Sequence, residues 1–248
     1  ATVTPLATTT PFAGATATLV PTPAPTSTSD AGEINGLADA VAAKTAAKCQ
    51  QAIGKAGVSF LATRLKQLDA CAAGILKCVQ TKPDDAGCVP KAKAKCVAAA
   101  AARVKLQGAV QSKCGTTLVT TVDLRGPTGL GYGDLDTDCA SEIGRAPANV
   151  ADVAECIASR YSCRASRLYA MQAPRAGELL RVAGVAPEAD GCLPDHGGDG
   201  EGVGDVVQGK AIQQCVAAIT KTASGFIAKK LSSLAKCVDK VFACIQTK

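Results

Sequence analysis

Apolar positions recur at helical intervals in two separated stretches of the chain. Leu65, Leu68, Ile75 and Val79 follow one another at intervals of three, seven and four, and so do Leu231, Leu234, Val241 and Ile245. That spacing puts each set on one face of a helix. The two stretches are copies: residues 49–82 align with 215–248 at a constant offset of 166, without a gap, and thirteen of 34 positions are identical. All three cysteines of each copy coincide, as Cys49/Cys215, Cys71/Cys237 and Cys78/Cys244. Such a match identifies an internal repeat. Neither copy contains proline, so each is predicted to be one long helix, or two helices bent near Gly54–Gly57 in the first and near Gly225 in the second.

The pattern changes between and before the copies. Pro83-Asp84-Asp85 reads as a turn, and Val89–Ser112 as a third helix with Pro90 in its first turn. The β-branched run Leu118–Val122 predicts one short strand, and the glycines that follow, to Gly133, predict loop. Asn149–Gly184 is again helical with a break at Pro174, and Pro187–Gly209 reads as a Gly/Asp-rich loop. Residues 1–30 contain ten Thr and five Pro and no charge before Asp30. This composition favours extended conformations and carries no core of its own. The expected fold is mainly α, a disulfide-stapled helical domain built on two copies of a Cys repeat. Its parts are an extended arm (1–30), a first repeat with an additional helix (31–114), an acidic middle region of loops and helices (115–209) and a second repeat (210–248).

Composition fits helices packed closely on small side chains. Of the 248 residues 47% are hydrophobic, yet 3% are aromatic and none is Trp. No apolar run approaches the roughly 18 residues that cross a bilayer, so no membrane span is expected. The net charge of +6 is unevenly distributed: residues 31–113 carry +8, residues 114–205 carry −7 and residues 206–248 carry +6. Opposed blocks of this kind can pair within a subunit or between neighbours. The basic residues are scattered among alanines without interleaved aromatics, which argues against a nucleic-acid partner.

Thirteen cysteines point to an oxidising compartment and a disulfide framework. The sequence opens at Ala1, and a secretory signal is expected to have been removed. The chain is therefore read as secreted, extracellular or at the cell surface. The smallest interval between cysteines is seven residues, which leaves no C-x-x-C for zinc ribbons, thiol redox motifs or haem attachment. Three pairs have that interval: Cys71/Cys78, Cys156/Cys163 and Cys237/Cys244. Two helical turns separate their Cα atoms by about 10.5 Å, too far for a mutual bridge, so each pair is expected to staple its helix to another element at two levels. A bend near residue 58 would let Cys49 bridge Cys71, and in the second copy Cys215 bridge Cys237. The remaining cysteines are Cys88, Cys96, Cys114, Cys139 and Cys192. An odd total leaves at least one without an intrachain partner, with Cys114, Cys139 and Cys192 the expected choices from their places near loops.

Two acidic loops are the metal candidates. Asp134, Asp136 and Asp138 have the D-x-D-x-D spacing that opens calcium loops, but Cys139 stands where glycine is required and the twelfth position is not Glu. Asp195, Asp199 and Glu201 fall near the same pattern and lack its third and twelfth ligands. Calcium is the one ion these loops suggest, and no other cofactor is expected. With a single histidine, His196, and no G-x-S-x-G, H-E-x-x-H or phosphate-binding loop, no catalytic constellation is present in the pattern, and the chain is not expected to be an enzyme. The reading that unites these features is a secreted structural protein that assembles with itself, as the subunit of an extracellular filament or surface layer. Its arm, with the alternating stretch at Thr16, Thr18, Leu19 and Val20, would dock on a neighbour. The other reading is a monomeric, disulfide-rich binding module on a Thr/Pro stalk, a segment suited to O-glycosylation.

Overall fold

A computed structural model describes residues 36–96, 100–115, 119–185 and 192–247. Residues 1–35 lie outside the described residues, and with them the predicted arm at Thr16, Thr18, Leu19 and Val20.

Two long helices carry the architecture. Helix α1 spans Ala40–Thr81, 42 residues and about 63 Å, and opens at Asp39, whose carboxylate accepts hydrogen bonds from the Val41 and Ala42 amides at 3.0 and 2.6 Å. Helix α8 spans Val206–Thr247. Asp205 sits at its start, accepting from the Gln208 amide at 2.7 Å. Both boundaries of α8 are displaced from those of α1 by the same 166 residues. Each copy is one unbroken helix, so the expected bends near Gly54–Gly57 and Gly225 do not occur. Glycine alone costs a helix about 1 kcal/mol, which the packing of α1 outweighs.

The two copies lie antiparallel. Gly209 of α8 rests against the backbone at Gln80, Gly54 faces Ala235 and Asp239, and Gly36 meets Ile245 and Gln246. The Gln246 side chain ties both ends together, accepting from the Leu37 amide at 3.0 Å and donating to the Thr128 carbonyl at 2.8 Å.

The other helices cover α1. They are α2 (Cys88–Lys93), α3 (Ala100–Cys114), α4 (Thr121–Arg125), α5 (Asp136–Ile143), α6 (Val150–Gln172) and α7 (Ala176–Val182), with a 3₁₀ turn at Tyr132–Leu135. One core cluster joins Ile53 and Phe60 of α1 to Leu106 and Val110 of α3 and Val153 and Ile157 of α6. A second joins Leu61, Leu65 and Leu68 to Tyr169 of α6, with Ile227 and Leu231 of α8 against it. A third packs Ile75 and Leu76 on Ala92 and Leu179. At Gly57 the ring of Tyr161 occupies the space a Cβ would take, so glycine sets the approach of α6 to α1. The Tyr169 hydroxyl, buried among these helices, donates to Asp69 at 3.3 Å; burial, and then the Asp69 charge, raise its pKa.

Three local expectations change. The single helix expected over Val89–Ser112 is two, α2 and α3. The strand expected at Leu118–Val122 does not form over its described part, where Thr120 caps α4 and Thr121 and Val122 open it, and no strand occurs among the described residues. There Thr120 accepts from the Asp123 amide at 3.1 Å while Asp123 accepts from the Thr120 amide at 3.0 Å, and this reciprocal cap outweighs β propensity. Cys49 bridges Cys114 and Cys71 bridges Cys96, which replaces the expected Cys49–Cys71 pairing, because a straight α1 holds those two residues about 33 Å apart. The predicted break at Pro174 does occur, between α6 and α7. No helix among the described residues is long and apolar enough to cross a membrane.

Candidate functional site

Ten cysteines form five bridges: Cys49–Cys114, Cys71–Cys96, Cys78–Cys88, Cys139–Cys156 and Cys163–Cys192. Cys114, Cys139 and Cys192, the residues expected to be left over, are thus all paired, and the free thiols are Cys215, Cys237 and Cys244, all exposed on α8. The expected Cys215–Cys237 bridge is absent for the reason that removed its counterpart: an unbent helix separates the two by about 33 Å. The two-level stapling predicted from the seven-residue spacing holds for Cys71/Cys78, which join α1 to the α2 segment, whereas Cys156 and Cys163 join α6 to two different elements, α5 and the last loop, and Cys237/Cys244 form no bridge.

Helix α8 has two apolar stripes. One, including Val216, Ile227 and Leu231, packs toward the core shared with α1 and α6. The other contains the three thiols with Ile219, Phe226 and Val241, all exposed, while Leu234 and Val238, also exposed, lie in line with the first. Positions 22 and seven residues apart bring the three cysteines within about 40° of one another around the axis, so they share a face.

The equivalent stripe of α1 has the opposite environment. Phe60 is 3% exposed and its copy Phe226 67%; Ile75 is 1% exposed and its copy Val241 54%. Cys49, Cys71 and Cys78 are buried, as are Ile53 and Leu68. What covers them is the α2–α3 segment, bound by three disulfides in reverse order, together with α6 and α7. Nothing within the described residues plays that part for α8. Burying a large apolar side chain contributes about 1.5–3 kcal/mol, a stabilisation these α8 side chains do not have within the described residues.

The acidic candidates are occupied by local pairing. Asp136 is ion-paired with Arg125, and Asp138 with Arg160; Asp134 lies in the 3₁₀ turn. Asp195 pairs with Arg181 and accepts from the Gly197 amide at 2.9 Å. Asp199 accepts from the Glu201 amide at 3.1 Å. Among the described residues no three His, Cys, Asp or Glu side chains converge on a point that could hold a metal ion. The same chemistry closes the last loop over α7: Arg175 binds Glu178 at 2.7 Å and the Glu201 carbonyl at 2.9 Å, while Glu178 accepts from the Gly200 amide at 3.0 Å. The Arg175 guanidinium, aided by that amide, holds the Glu178 carboxyl below the usual carboxylate range. Arg145, bound to Asp152 at 2.7 Å beside the start of α6, lowers the Asp152 carboxyl in the same way. These arginines thus neutralise part of the acidic region from within. His196 is exposed in the same loop.

An apolar cavity of about 200 Å³ lies between α1, α6, α7 and α8, lined by Leu76, Tyr169, Ala173, Leu179, Ile212 and Val216. The stripe of α8, in contrast, was visible in sequence only as a repeat of the α1 stripe, and a count of partners does not reveal its exposure, since the seven cysteines outside the two copies outnumber the six within them. No family model, curated protein or solved structure matches the chain.

Proposed function

We propose that the chain is a secreted structural subunit that assembles with copies of itself into an extracellular filament or surface layer, residues 1–30 docking as an arm on a neighbour. The observation that supports this most is the second stripe of α8, which leaves Ile219, Phe226, Val241 and three thiols exposed. None of the three thiols can bridge another, because seven and 22 helical residues span about 10.5 and 33 Å against the 4.4–6.8 Å between bridged Cα atoms. In a compartment that forms five disulfides, such a surface is completed from outside the chain. The five bridges are compatible with an extracellular location. A heterologous arm contact propagates as an open array unless its rotation closes a ring. The reading assigns no catalytic step and no cofactor.

Negative-stain electron microscopy of native material, kept free of reductant, is expected to show regular filaments or sheets, and deletion of residues 1–30 to leave folded particles that do not polymerise. Dispersed particles from the native chain would overturn the proposal. One observation favours the second reading, a monomeric binding module: the apolar cavity between α1, α6, α7 and α8, of the kind that holds small ligands. That reading requires a monodisperse monomer in sedimentation and a tail open to protease.

A further inference from the structure

We propose that the exposed stripe of α8 is the docking site for a Cys-bearing helical segment of a partner polypeptide, built like α2–α3 and joined through three disulfides. The inference rests on the reading above in one respect, that α8 is completed from outside the chain, and departs from it at this one surface, where the occupant is a different polypeptide and contact between copies is left to the arm.

The first copy supplies the template. Running away from α1, the α2–α3 segment presents Cys88, Cys96 and Cys114, eight and then 18 residues apart, to Cys78, Cys71 and Cys49 respectively. The acceptor spacing, 22 and then seven residues, is identical in α8, and both copies are straight helices over the same span. A donor able to bridge the first triad therefore has the geometry to bridge the second. Its cysteines would meet Cys244, Cys237 and Cys215 in that order, antiparallel to α8. Phe226, between the thiols, would be covered as Phe60 is.

A second copy of this chain is the weaker occupant. All its other cysteines are bridged, so it offers only its own α8. In a parallel two-helix supercoil Cys237 and Cys244 share one heptad position and Cys215 falls on the adjacent one, so like residues cannot face each other at all three. An antiparallel two-fold pair matches at most two of the three. The α2–α3 arrangement avoids this, since its donor is two helices rather than one.

Each bridge forms by thiol–disulfide exchange. A thiolate of α8 attacks a low-molecular-weight disulfide such as oxidised glutathione, expelling one glutathione thiolate. The partner's thiolate then attacks the mixed disulfide at the α8 sulfur and expels the second. Two thiols are oxidised and one glutathione disulfide is reduced to two thiols. After the first bridge the remaining two close within one complex, at high effective concentration.

The test uses the full chain and a synthetic peptide of residues 83–115 as the probe, in a glutathione redox buffer. The expected product carries three bridges, from Cys215 to Cys114, Cys237 to Cys96 and Cys244 to Cys88 of the peptide, as mapped by mass spectrometry. Its yield is expected to exceed that of a peptide with shuffled cysteine positions by about tenfold, and Phe226→Asp to remove most of that advantage. Scrambled pairings, equal yield from the shuffled peptide, or links between two α8 helices would overturn the inference. In native material, iodoacetamide without reductant is expected to label none of the three thiols; full labelling would also overturn it. Filaments formed by a chain whose thiols label fully would defeat this inference and leave the assembly reading standing. Ordered coupling with dispersed native particles would do the reverse.

Discussion

Helices α1 and α8 are the same element in two environments. They have equal length, equivalent cysteines, and Phe60 and Phe226 at the same position, yet one stripe forms the centre of the core and its copy lies in solvent. The difference lies in what packs against them, not in the helices. An amphipathic pattern states that a face must be covered; it does not state by what.

The comparison can be broken most sharply at the shared phenylalanine. Phe60→Ala is expected to cost about 3–5 kcal/mol, as for large core truncations, and Phe226→Ala about 0.5 kcal/mol or less, as for surface changes, both read from urea unfolding with the free thiols alkylated. Equal losses would mean that α8 is covered after all. Removing the bridge between Cys49 and Cys114, which are 65 residues apart, by a double change to alanine should cost about 2–4 kcal/mol, whereas Cys215→Ser should leave the unfolding midpoint where it is.

The helical character of residues 49–82 and 215–247 was legible in sequence, because it depends on periodicity and on the absence of proline there. The partners of Cys49 and Cys71 were not. Bridging depends on which element passes within a few ångströms, and a bend supposed at Gly54–Gly57 brought together two residues that a straight helix keeps apart. The strand expected at Leu118–Val122 failed for a local reason, the Thr120–Asp123 cap, which was present in the sequence but outweighed there by the β-branched run. Of the candidate sites, the acidic loops were conspicuous as residue types, yet Asp136, Asp138 and Asp195 are engaged by Arg125, Arg160 and Arg181 from neighbouring elements. The thiols of α8 were hidden by resemblance, since nothing in residues 215–244 distinguishes a covered copy from a bare one.

Smaller effects sharpen the same contrast. Gly57→Ala should destabilise by about 1–3 kcal/mol, because Tyr161 must yield to the new methyl. The equivalent position of the second copy already holds Ala223, and Ala223→Gly should cost no more than about 1 kcal/mol, the intrinsic helix penalty. Circular dichroism melts of the pair would decide. The smallest effect concerns pH. The lowered carboxyls of Asp152 and Glu178 belong to the region that covers α1. Their contribution is present above the ordinary carboxylate range and is lost as pH falls through it toward their lower folded values. Asp152→Asn is therefore expected to flatten the decline of the melting temperature between about pH 5 and pH 3; an unchanged slope would remove Asp152 from this account.

The order of the cysteines along the chain has a consequence for biosynthesis. All five bridges close between Cys49 and Cys192, upstream of α8. A polypeptide that emerges N-terminus first offers Cys88, Cys96 and Cys114 a single acceptor, α1, before its rival exists. Chronology then performs a selection that shape alone would not, because the two triads have the same spacing. Once fully reduced, the chain loses that schedule, and reoxidation in vitro becomes a competition between two equal acceptors for one donor, with an isomer bridged to Cys215, Cys237 and Cys244 as its by-product.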